Sequence, residues 1–169
     1  MDQPLFFKAP WGAAVMVITV STCILMIAVS MMLAWIGDRQ NFVLLYLVAL
    51  IPVLIVLITS FYSVRGYLVT NNRLQVARLG WFTTIPLNNL ETVVYEPKAM
   101  AKSLRLFGDG GLFAFTGRFR NQALGNYRAY VTHLNKTVVL IFTDKTVVVS
   151  PQRPEEFVRM VTRAVAKQL

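Results

Sequence analysis

Nucleophilic, acid–base and metal chemistry each need particular residues, and this chain is nearly bare of them. His133 is the only histidine and Cys23 the only cysteine. One imidazole and one thiol cannot complete a zinc site. A serine nucleophile would need His133 as its base, and no carboxylate stands at a spacing that suggests a triad. His133 ends a β-like run just before Leu134-Asn135-Lys136, where a plain surface histidine is the simpler reading. Glu91, Glu96 and Asp109 show no pairing pattern. The expectation is a non-enzymatic protein with no catalytic residues, no metal, no cofactor and no small-molecule substrate.

The chemistry that remains is that of cations set among aromatic rings. Between Tyr95 and Tyr127 the chain carries Lys98, Lys102, Arg105, Arg118 and Arg120, with Arg128 just beyond. Phe107, Phe113, Phe115 and Phe119 lie among them, and the acids are Glu96 and Asp109. A loop longer than about 15 residues is unusual in a compact domain, so this segment either has its own structure or has a task. Two readings stay open. The phenylalanines could be a contact face, or they could be the inner side of a hairpin. The alternation of Phe113, Phe115 and Gly117 suits a strand, with Thr116-Gly117 as the turn. Gly108-Asp109-Gly110-Gly111 could offer backbone amides to an anion. It matches neither the P-loop nor the dinucleotide-binding spacing, and turn glycines need no ligand.

The elements that must position these residues follow from how charge and grease are distributed. Of 169 residues, 56% are hydrophobic and 15% charged, yet the net charge is +9. A soluble domain carries roughly 25% charged residues. Fifteen of the 17 basic and six of the eight acidic residues lie from Arg65 onward, so the tail holds the whole surplus. Two uncharged runs precede it. Residues 11–36 form a first transmembrane helix, too long in its apolar core for a secretory signal. Residues 42–64 form a second, with Pro52 in its middle. Residues 1–10 are a short N-terminus, and residues 37–41 a short external loop, which forces an antiparallel hairpin. Basic residues gather after the second run, so both termini are expected on the cytoplasmic side of a bacterial inner membrane. Neither run holds a titratable carboxylate, amine or imidazole, which argues against a pump or proton relay. Thr19, Ser21, Thr22, Ser30, Thr59 and Ser60 are read as bonding to their own helices.

Residues 65–169 read as one cytoplasmic domain. Short β-like runs appear at Tyr67–Val69, Leu74–Leu79, Trp81–Ile85, Thr92–Tyr95, Tyr127–His133, Thr137–Phe142 and Thr146–Ser150. Pro154, Glu155 and Glu156 open a final helix over 154–167. Its apolar face is Phe157, Val161, Ala164 and Val165. Strands first and a helix last mean an α+β, mainly-β fold.

The pieces Arg105-Leu106-Phe107-Gly108-Asp109-Gly110-Gly111-Leu112-Phe113, Gly117-Arg118-Phe119 and Leu124-Gly125-Asn126-Tyr127-Arg128-Ala129-Tyr130 resemble the bacterial PH-like domain family. So does the ending Ser150-Pro151 followed by Pro154-Glu155-Glu156-Phe157. The likeness spans about Tyr67 to Val165, with two spans ahead of it. It implies a bent seven-stranded barrel capped by a C-terminal helix, with no catalytic residues to carry over.

The expected function is a membrane-anchored interaction module or scaffold that binds a protein or peptide partner or self-assembles. The alternative is a sensor of anionic lipid headgroups, acting through the basic segment 98–128. Under either reading the contact residues are Lys98, Lys102, Arg105, Phe107, Gly108, Gly110, Gly111, Phe113, Arg118, Phe119, Arg120 and Arg128. Nucleic acid is not an expected partner, since no recognition helix or RNA-binding motif is present.

Overall fold

A computed structural model describes residues 5–36, 42–70 and 72–166. Two apolar helices, α1 (Ala13–Ile36) and α2 (Phe42–Phe61), lie against each other. α2 continues through Pro52. The loop expected at 37–41 lies outside the described residues. Ala13–Trp35 is long and apolar enough to cross a membrane, while the described apolar stretch of α2, Leu47–Phe61, is shorter.

The remaining chain forms two sheets. The first has the order β1 (Leu5–Lys8), β2 (Gly66–Thr70), β3 (Arg73–Ala77), β4 (Phe82–Pro86). The second runs β5 (Leu90–Tyr95), β9 (Val138–Phe142), β10 (Thr146–Val149), β8 (Gly125–Val131), β7 (Phe115–Asn121), β6 (Leu104–Gly110). A terminal helix, α3 (Pro154–Ala166), follows. Seven strands are expected after Arg65, and the described residues form nine. The extra pair is β6 and β7, in the segment whose structure the sequence left open.

The N-terminus also departs from expectation. Residues 5–8 are not a mere leader to the first helix. They form β1, antiparallel to β2, with Leu5 opposite Val69 and Lys8 opposite Gly66. Thr132 seals the junction: its hydroxyl donates to the Pro10 carbonyl at 2.9 Å, and its own carbonyl accepts the Gly12 N–H at 2.7 Å. The chain just before α1 and the chain just after α2 thus meet on one side of the helices. The β domain draws its first strand from ahead of the two apolar helices.

Two cores hold the domain. Between the sheets and α3 lie Phe7, Tyr67, Leu74, Val76, Leu140, Phe157 and Val161. The α3 face expected from periodicity is the buried one, with Phe157 edge-on to Phe7 at 5.2 Å. The second sheet buries its other face too, with Phe119, Tyr127, Ala129, Val139 and Val148 packed under Ala99 and Met100. Both faces of β9 and β10 are thus dry, which is why they read as continuous apolar runs rather than alternating ones. The Tyr67 hydroxyl donates to the Tyr130 carbonyl at 2.6 Å and accepts the Ser150 N–H at 3.0 Å. Burial pushes its pKa up to about 12, so it stays a neutral donor.

Candidate functional site

A cleft of about 900 Å³ opens between the β6–β7–β8 part of the second sheet and the last turn of α2. Arg78, Arg105, Arg118 and Arg128 line it, together with Thr59 and Tyr62 at the end of α2. Among the described residues, Asp109 is the one carboxylate on its wall. Strand periodicity builds this cleft. Side chains alternate across a sheet, so Phe119 and Tyr127 go to the outer core while Arg118 and Arg128 go to the cleft. Those two arginines face each other directly across β7 and β8. Like charges directly opposite on neighbouring strands are destabilising. Among the described residues neither forms an ion pair with a carboxylate.

Arg78 joins the site to the end of α2. It donates to the Tyr62 carbonyl at 2.7 Å and to the Thr83 hydroxyl at 3.2 Å. Its guanidinium lies 5.5–5.9 Å from the ring centres of Tyr62, Trp81 and Tyr130. A cation against the carbonyl end of a helix is favourable. Burial lowers its pKa, and the nearby tyrosines act against that shift. The Trp81 indole donates to the Phe61 carbonyl at 3.3 Å, a second tie between β domain and helix. Neither Arg78 nor Trp81 belongs to the segment singled out from sequence. Their positions near a turn at Gly80 gave no sign of contact with Tyr62.

A second groove, of about 450 Å³, continues from the first past Arg118, Arg128 and Tyr130 to the edge strand β4 and to Lys145. Among the described strands, β4 pairs with β3 and has no second neighbour in its sheet.

The twelve residues expected to form one contact surface are divided by the fold. Arg105, Phe107, Gly108, Arg118 and Arg128 come together in the cleft. Arg120, exposed on β7, lies outside it. Lys98 and Lys102 sit in the turns that lead to β6, exposed and away from it. Phe119 is core, 4% exposed and stacked on Tyr127. Phe113 turns to the helices and meets the Trp11 ring at 6.0 Å. Phe107 is the phenylalanine that stays in the open, 78% exposed at the cleft.

The glycines serve the hairpin. Gly108 and Gly117 are opposite each other on β6 and β7, both with left-handed φ, of 110° and 133°. A Cβ on Gly117 would come 2.1 Å from the Phe107 carbonyl oxygen, so side chains are excluded where the strands cross. Gly117 therefore lies inside a strand, and the Thr116-Gly117 turn is replaced by one over residues 111–114. Gly110 lies beneath the Arg105 guanidinium. The Gly111 and Leu112 amides donate to Asp109 Oδ1 at 3.1 and 2.9 Å, so they are already engaged and do not cradle an anion. Burial raises the Asp109 pKa, opposed by those amides and by Arg105.

Catalytic groupings are sparse. His133 Nδ1 accepts the Asn135 N–H at 3.2 Å in a turn, and burial lowers its pKa. The described residues contain no cluster of three His, Cys, Asp or Glu fit for a metal.

Two sheets with a C-terminal helix against them, behind an apolar N-terminal helix and with a basic cleft at the junction, define a membrane-associated module of PH-like fold. The model of the bacterial PH domain family matches residues 65–165, more than half of the chain, and the protein belongs to that family. No match is found among curated proteins or among solved structures.

Proposed function

We propose that this protein is a non-enzymatic module, anchored by a hairpin of α1 and α2, that binds the phosphate of anionic lipid headgroups in its arginine cleft. Both termini would lie on the cytoplasmic face of the bacterial inner membrane, as the basic residues after α2 favour. The observation that carries this reading is the Arg118–Arg128 pair, opposed across two strands and unneutralised, in a cleft that the end of α2 also lines. An anion between them relieves their repulsion, and guanidinium groups bind phosphate in bidentate fashion. Each basic side chain near an anionic leaflet contributes about 1 kcal/mol.

Native mass spectrometry of the full-length protein from detergent tests this reading. Phosphatidylglycerol should stay bound where phosphatidylcholine is lost, and Arg118→Glu/Arg128→Glu should release it. Equal retention by wild type and double variant overturns the proposal. Inorganic phosphate at millimolar concentration should not displace the lipid; if it does, the ligand is free phosphate and not a headgroup.

A second reading rests on β4. Its edge borders the groove that carries Arg118, Arg128 and Lys145. An extended acidic peptide of a partner, or β4 of a second copy, could add to that edge by backbone pairing. Thr84→Pro would block such pairing. A detergent-stable complex or dimer that this variant abolishes favours the reading, and a monomer unaffected by it counts against it.

A further inference from the structure

The turn between β6 and β7 rests on α1. The Thr19 hydroxyl oxygen accepts the Phe113 N–H at 2.9 Å, and the hydroxyl faces the Gly111 carbonyl at 3.5 Å. Thr19 is 4% exposed, and a Cβ on Gly111 would come 2.7 Å from Ile18 Cδ1. Thr19 lies six residues beyond Ala13, the start of α1, or about 9 Å along the axis at 1.5 Å per residue.

The neighbouring positions fix what surrounds this level of the helix. Met16, Val17 and Val20 flank Thr19 along α1 and are 52%, 66% and 51% exposed. Among the described residues nothing covers more than half of any of them. If hydrocarbon or the interfacial layer covers them, it also reaches the turn lying at the same height.

The turn is built for that setting. Its residues, Gly111-Leu112-Phe113-Ala114, carry no charge. The N–H groups of Gly111, Leu112 and Phe113 are each taken within the protein, two by Asp109 Oδ1 and one by Thr19. Water would serve such groups on an ordinary exposed turn. In a bilayer each unpaired one costs several kcal/mol, and non-helical backbone persists there only when its polar groups are satisfied by protein.

We propose that the Gly111–Ala114 turn is immersed in the cytoplasmic interfacial layer of the membrane beside the first two turns of α1, so that the bilayer itself is a contact partner of the PH domain. This rests on α1 being a membrane span. It is independent of any ligand in the cleft, though it would hold the cleft mouth at headgroup height.

Full-length protein in nanodiscs of phosphatidylethanolamine and phosphatidylglycerol tests it. In a Cys23→Ser background, single cysteines replace Leu112, Ile24 and Asp144, and each carries an environment-sensitive fluorophore. Lipids with a nitroxide at a shallow or a deep acyl position act as quenchers. The Leu112→Cys label should be quenched at least twofold by the shallow nitroxide, the Ile24→Cys label by the deep one, and the Asp144→Cys label by neither. Quenching at Ile24→Cys without quenching at Leu112→Cys overturns the immersion and leaves the span standing. No quenching at Ile24→Cys removes the span and the immersion with it. Unmodified wild type supplies a second measurement, since Leu112 is half-buried. A lipid with a photoreactive group near its glycerol should label residues 111–114 along with Met16 and Val17. Labelling confined to α1 overturns the proposal.

Discussion

β7 and β8 have two faces made of the same stretch of sequence, and the two faces do opposite things. Phe119, Tyr127 and Ala129 point into a dry core. Arg118 and Arg128, each one residue away, point into an open cleft. Along the chain, basic and aromatic residues look intermingled, like a mixed contact surface. Across a sheet of period two, Phe119 and Tyr127 separate from Arg118 and Arg128. A sequence stretch rich in both is therefore two half-surfaces, and substitutions on one should leave the other nearly untouched.

Gly117→Ala should have the largest effect, because it breaks both faces at once. The position has a φ of 133° and no room for a Cβ against the Phe107 carbonyl. β6 would have to part from β7, and the resulting loss should exceed about 5 kcal/mol or prevent folding, placing it in the exceptional tail of substitutions. A proteolysis assay on the detergent-solubilised protein would show it. Phe119→Ala comes next. It empties a core site and should cost about 3–5 kcal/mol, read from denaturation midpoints, while headgroup retention by the folded fraction persists. Retention lost along with the core would mean that the two faces are not separable.

Arg118→Glu with Arg128→Glu is the mirror experiment. Stability should move by about 0.5 kcal/mol or less for each, as for surface sites, because the double reversal sets two glutamates opposite each other where two arginines stood and leaves the cross-strand repulsion in place. Phosphatidylglycerol binding should weaken at least tenfold, or about 1.4 kcal/mol. A large fall in stability would show that the arginines hold the sheet together instead of awaiting a ligand.

What could be read from the sequence follows the range of the interactions. The apolar runs of α1 and α2 and the amphipathic face of α3 are local patterns, and the structure keeps them. β9 and β10, rich in valine, were equally legible. β6 was not, since five of its seven residues are exposed and show no alternation. β1 is only four residues long and precedes a helix, so nothing local marks it as part of a sheet whose next strand begins at Gly66. Thr19 looked like its neighbours. Ser21, Ser30, Thr59 and Ser60 do bond to their own helices. Thr19 instead reaches residues more than ninety positions away, which no spacing rule could reveal. The cleft shares that origin, because Arg78 and Arg128 are brought together only by the packing of two sheets and a helix end.

The smallest effect concerns Asp109, the one acid among the cleft arginines. Its folded pKa is raised above the ordinary 3.8, with burial the main cause. The folded state then holds this proton more tightly than the unfolded chain does. The sign follows from linkage: stability from this group is greatest below the unfolded pKa and declines as pH rises through the unfolded and then the folded value. Asp109→Asn should flatten that decline in acid. The asparagine side-chain oxygen can still accept the Gly111 and Leu112 amides, so the turn should survive. At neutral pH the same variant removes a negative charge from the cleft wall, and phosphatidylglycerol binding should tighten by a few tenths of a kcal/mol, the scale of a partly exposed charge pair. Weaker binding would mean that the carboxylate positions Arg105, and that the cleft's anion selectivity depends on an acid rather than being opposed by one.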